Sequence, residues 1–172
     1  MRSATLLGVV LNHGITITFP LLGEVARYGN EDALRLVLDH LGHLREMNES
    51  NALTMAVISA YDNVGKLSML LVKGMDIDFV GKMTYDWDFI QAATERVIFG
   101  EFEGTALHRA AHLGHVDAER FLLEKGARTD LTDSSEKYAM ERAEMAKHLE
   151  VRDMIWSAFE REWEEDETGD EK

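Results

Sequence analysis

The chain has 172 residues, 45% of them apolar, which is enough for one globular domain with a sizeable core. Thirty-two acidic residues against 18 basic ones give a net charge of -14; this repels phosphate backbones and anionic membrane surfaces, so neither nucleic acid nor membrane is an expected partner. The absence of cysteine excludes disulfides and thiolate metal sites, and no apolar run approaches the ~20 residues of a membrane-spanning helix.

The apolar run at Leu6 to Leu11 is short for a signal peptide and has no small-residue cleavage site, so the expected location is the cytoplasm or nucleus. Proline occurs once, at Pro20, and strand-type alternation is nearly absent. Apolar residues recur instead at i, i+3, i+4 and i+7, so the expected fold class is all-α. In chain order, "LLGVVLNHGITIT" (6–18) reads as a lone second helix. Arg2 is the only charge before Glu24, so this segment is expected to pack against something, another copy of the chain included, or to begin inside a longer array.

"PLLGEVARYGNEDALRLVLDHL" (20–41) reads as a helix, a turn and a second helix. "NALTMAVISAYDNVGKLSMLLVKGMDID" (51–78) repeats that plan with a turn two residues longer, around Tyr61 to Lys66. "TALHRAAHLGHVDAERFLLEKGA" (105–127) repeats it again. A shift of 33 places Ala106 on Ala139, Leu107 on Met140, Ala110 on Ala143, His115 on His148 and Leu122 on Ile155, so a further unit follows. Closely spaced alanines suit close packing of the first helices, and Gly126 suits a left-handed stop to a second helix. The last unit carries Glu141, Arg142, Glu144 and Lys147 as an outer cap. The acidic stretch from Glu160 to Lys172 is expected to fray and then to be disordered.

The string T-x-L-H-x-A-A-x-x-G-H followed by L-L-x-x-G-A resembles the ankyrin repeat at Thr105, Leu107, His108, Ala110, Ala111, Gly114, His115, Leu122, Leu123, Gly126 and Ala127, with Ala106 in place of the usual proline. The resemblance implies an ankyrin-repeat α-solenoid over residues 1–160. Its units would be a half repeat at 4–18 and full ones at 19–48, 49–79, 102–132 and 133–159, followed by an acidic tail at 161–172. It also implies that His108 and His115 are structural, and that a protein partner binds in a concave groove. Carried over residue by residue, the groove candidates are Arg27, Tyr28, Ile58, Ser59, His112, Leu113 and Met145, with Ser134, Ser135 and Lys137 on the last finger.

Residues 80–101 break the pattern. "DWDFIQAATERVIF" has helical spacing with Asp86 or Asp88 able to cap its start, which predicts a short inserted helix. Six aromatics, Phe79, Tyr85, Trp87, Phe89, Phe99 and Phe102, must bury against something. They could patch a widened gap between two units. Alternatively, Tyr85, Trp87 and Phe89 could anchor a partner or wall a small-molecule pocket over the groove.

His108 and His112 lie one helical turn apart, as two metal ligands would, but "HRAAH" lacks a zincin glutamate and no third ligand is identifiable. Neither a metal nor a cofactor is expected. The alternative to a binding module is a small-molecule binder or enzyme of cyclase or isomerase type, with Asp86, Asp88 and His112 as acid and base under an insertion acting as a lid.

Overall fold

The helical spacing folds into stacked pairs. In the computed structural model, which describes residues 19–41, 47–59, 63–81 and 103–169, α1 (Phe19–Tyr28) pairs with α2 (Glu31–His40), α3 (Ala52–Ile58) with α4 (Asn63–Val72), α5 (Ala106–Leu113) with α6 (Val116–Glu124), and α7 (Ala139–Met145) with α8 (Leu149–Gly169). A 3-10 turn, Met47–Ser50, leads into α3. The described residues contain no strand, only isolated antiparallel bridges joining Gly81 to Gly104 and Thr132 to Tyr138. No described helix is long and apolar enough to cross a membrane.

The pairs stack in two layers: α1, α3, α5 and α7 pack in that order, and α2, α4, α6 and α8 pack behind them. Small residues let the first layer close up, since Ala26, Ala52, Ala56, Ala106, Ala110, Ala111, Ala139 and Ala143 are all buried. Leu34, Val37, Leu67, Leu70, Leu122 and Ile155 fill the space toward the second layer, and one continuous core runs from Leu22 to Ile155.

Turn geometry repeats with the sequence register. Gly114 ends α5 at φ 70°, and Lys147, 33 residues on, ends α7 at φ 65°. In both turns the next two amides fold back on the helix: Gly114 and His115 donate to the Ala111 and Ala110 carbonyls, Lys147 and His148 to those of Glu144 and Ala143. Gly114 has a second constraint, because a Cβ there would lie 2.5 Å from Nδ1 of His148. Gly74 and Gly126, at φ 91° and 82°, stop α4 and α6 in the same way.

Side chains tie each unit to its neighbour. His108 closes the N-terminus of α5, its Nδ1 accepting from the Thr105 amide at 3.3 Å, and its Nε2 lies 3.1 Å from the Lys137 carbonyl of the next unit. Burial, partly offset by Asp133, lowers its pKa, so the ring is neutral and Nε2 is the donor. His115 reaches back, with Nδ1 2.8 Å from the Val57 carbonyl. Both histidines thus have the scaffold role that the resemblance implies. The fully buried Lys66 donates from α4 to the Ala26 carbonyl at 3.0 Å and to the Ser59 hydroxyl at 2.7 Å.

Three expectations change. The α3–α4 connection is two residues longer than the α5–α6 one, as expected, but helix already begins at Asn63; Lys66 therefore belongs to α4 and not to the turn. The second and third units meet directly, with α3 packed on α5 and the Arg128 amide donating to Asp78 at 3.0 Å. The chain departs at Gly81 and returns at Gly104, and those two glycines pair much as Thr132 and Tyr138 close the following finger. Arg142 does not cap the outside; its Nε bonds the buried Asp133 carboxylate. Finally, α8 continues to Gly169, through residues expected to fray, because glutamates are good helix formers and Phe159 stacks between Trp156 and Trp163. The inserted helix and the half repeat at 4–18 lie outside the described residues.

Ala118, Glu119 and Leu122 share the inward face of α6. Glu119 is fully buried with neither carboxylate oxygen hydrogen-bonded, and burial raises its pKa well above the usual range.

Two outcomes follow. Gly114→Ala is expected to lower stability by about 1–3 kcal/mol in urea unfolding, because alanine must hold a left-handed conformation against His148. Glu119 favours the fold below the unfolded carboxyl pKa of about 4.3, and that contribution is lost as pH rises toward the higher folded value. Glu119→Gln is therefore expected to be more stable than wild type at pH 7, with an advantage that shrinks at pH 4; an advantage independent of pH would contradict the buried-acid account.

Candidate partner-binding face

Tyr28, Ile58, Leu113 and Met145 are the last residues of α1, α3, α5 and α7. Since those helices pack side by side in that order, the four positions form a row across the stack. Helix C-terminal ends carry partial negative charge, and the last turns of α1 and α7 hold Arg27 and Arg142, cations that complement it, while that of α5 holds His112. Tyr28 is 55% and Met145 64% exposed, whereas Ile58 and Leu113 are half-buried against the core. The Arg27 guanidinium lies 4.6 Å from the centre of the Tyr28 ring, holding that aromatic in place.

Beneath the third and fourth units lies a set of fixed charges. Asp133 accepts from the Ser135 and Lys137 amides at 2.8 and 3.2 Å and from Arg142. Burial alone would raise its pKa, but the Arg142 bond and the two amides together hold it below the usual carboxylate range. Arg109, nearly inaccessible, is pushed down to about 10 by burial and by Arg142 against the pull of Asp133, and so stays charged at neutral pH.

His112, half-buried beside them, has its pKa lowered by burial and then by Arg109, Arg142 and His148. Its ring is therefore neutral at pH 7 and offers a partner a hydrogen bond rather than a charge. The last finger is joined to the base of the insertion: the Ser134 amide donates to the Glu103 carbonyl, and the Glu103 amide to the Ser134 hydroxyl, both at 2.8 Å.

Of the residues singled out from sequence, Arg27, Tyr28, Ile58, His112, Leu113 and Met145 lie on or beside this row. Ser59 does not belong with them; it is buried and its hydroxyl accepts from Lys66. Ser134 and Ser135 are exposed on the finger, and Lys137 is half-buried with its ammonium 3.4 Å from Glu141. Tyr85, Asp86, Trp87, Asp88 and Phe89 lie outside the described residues. Among the described residues, no group of three His, Asp or Glu side chains is placed to hold a metal ion.

Lys66, Arg109, Glu119 and Asp133 were not anticipated. For Asp133 a signal existed, since "DSSEK" has the composition of a turn closed by its own aspartate. For Arg109 the signal was register, three residues past Ala106 on the inward face.

No curated protein matches the chain. The ankyrin-repeat family model matches residues 104–134, the span holding α5, α6 and the start of the last finger. The match lies within one unit of the stack, and helix pairs continue the same two layers on both sides of it, an all-α solenoid of ankyrin type.

Proposed function

We propose that the protein captures another protein along the row formed by Tyr28, Ile58, Leu113 and Met145, with Arg27 and His112 supplying polar contacts and the aromatic insertion adding Tyr85, Trp87 and Phe89. Ankyrin repeats serve protein–protein interaction in general, which supports the class of function. The observation that carries the finer reading is the exposure of Tyr28 and Met145 at equivalent ends of the first-layer helices, where a solvated surface has no need of large apolar side chains. Tyrosine fits such a role because its ring offers apolar area and its hydroxyl a hydrogen bond at small entropic cost. A neutral His112 keeps the middle of the row free of the desolvation cost that a charged imidazole would bring.

The partner surface this favours is an extended or loop segment with apolar anchors and polar groups between them. The test takes a partner isolated with wild-type protein, purifies it, and measures its affinity for two variants by calorimetry. Combined Tyr28→Ala, His112→Ala and Met145→Ala changes, and separately Trp87→Ala with His112→Ala, are expected to weaken binding at least tenfold while the helical circular-dichroism signal is retained. Arg35→Ala, exposed in the second layer, serves as the control. Unchanged affinity in both variants would sink this assignment of the site.

A further inference from the structure

The fourth unit packs against the third through α5 and α6. Its other side, the end face of the stack, carries a groove of about 320 Å³ between α7 and α8, lined by Met140, Glu141, Glu144, Arg152, Asp153 and Trp156. Trp156 is 48% exposed there, an amount of bare indole that a solvated helix face does not require.

Leu149, Trp156 and Trp163 follow at intervals of seven and therefore run as one stripe along α8; they are 52%, 48% and 62% exposed. The rings are preset, with Phe159 lying between the two tryptophans at centroid distances of 6.0 and 6.3 Å. From Leu149 to Trp163 the stripe spans about 21 Å, four helical turns. Preset aromatics at heptad spacing beside a groove are what a second helix needs for apolar side chains laid along it.

Charge selects the occupant. Arg152 is held by Asp153, with Nε 2.9 Å from its Oδ1, and Lys137 by Glu141. Glu144 on the groove and Glu160, one turn beyond Trp156, are exposed and extend the acidic rim. A second copy of this chain would bring two acidic faces together within an overall charge of -14 each. We propose that this end face is a docking surface, distinct from the row, for a basic amphipathic helix: its apolar residues cover Met140, Trp156 and the stripe, and its lysines or arginines meet Glu144 and Glu160.

The test titrates the full chain at 0.15 M salt with a synthetic helix of about 14 residues, four turns, carrying leucine at i, i+3, i+4, i+7 and lysine elsewhere. A peptide of identical composition, scrambled so that no apolar face forms, serves as the comparison. Calorimetry is expected to give at least tenfold tighter binding of the ordered peptide, with a shift in tryptophan emission. Trp156→Ala and Glu144→Lys are each expected to weaken that binding about tenfold, while Glu124→Lys on α6 and the row variant of Tyr28, His112 and Met145 leave it unchanged.

Equal affinity for the two peptides, or binding that survives Trp156→Ala, would mean only general attraction of lysine to an acidic chain and would overturn the proposal. So would a wild-type dimer in sedimentation that Trp156→Ala dissociates, because the occupant would then be a second copy. Loss of peptide binding in the row variant would place the peptide on the row and overturn the proposal as well.

Discussion

No helix pair in this chain can hide its apolar face alone. α3 and α7 have seven residues each, well below the ~12–15 at which an isolated helix becomes even marginal in water, so each exists only while its neighbours cover it. Close stacking of alanine-bearing first helices is therefore the constraint on which the rest depends, and it creates a problem at their ends. The last carbonyls of a helix lack partners, and here some face the interior between units. Lys66 serves the Ala26 carbonyl at the end of α1, and His115 serves the Val57 carbonyl at the end of α3. Two different residue types from the second-layer side of the following pair perform the same task, which explains why a lysine can be fully buried.

That solution shapes the candidate binding row. Where interior carbonyls are served from behind, Tyr28 is exposed at the end of α1 while Ile58 at the end of α3 stays half-buried; Met145, at the end of α7, is exposed as well. Between the third and fourth units the interior carries charge instead of carbonyl caps: Arg109, Arg142 and Asp133 sit under the row, and their field, added to burial, keeps His112 neutral. At the third unit the candidate row thus carries a neutral imidazole beside buried charge, a consequence of where the two arginines lie.

The fold was legible because it is periodic. A 33-residue shift matched Gly114 to Lys147 and His115 to His148, and those positions have matching turn geometry; even the longer α3–α4 connection could be counted from the chain. Row positions were legible through the same register, as helix ends recur. What periodicity cannot express is a partner outside the repeat. Arg142 looked like a surface charge because its partner, Asp133, lies on the preceding finger. Ser59 looked like a groove residue because nothing local reveals that Lys66 turns inward to meet it. Glu119 lies on the face that Ala118 and Leu122 mark as buried, so its burial follows from position although its residue type favours solvent.

α7 joins the two surfaces. Ala139 and Ala143 face inward, Met145 ends the row, and Met140 and Glu144 line the end-face groove, so one seven-residue helix contributes to both. The chemistry of the two differs: the row offers a neutral imidazole, a tyrosine and apolar ends, whereas the groove offers indole within an acidic rim. A partner with a loop suited to the first and a basic helix suited to the second would engage them together, and linkage through one chain would raise the effective concentration of the second contact without any new interaction. Because α7 is too short to stand without α5 and α8, such a partner would also stabilise the fourth unit by binding only its folded form. Recognition and the integrity of the stack's last pair would then be coupled through the same seven residues.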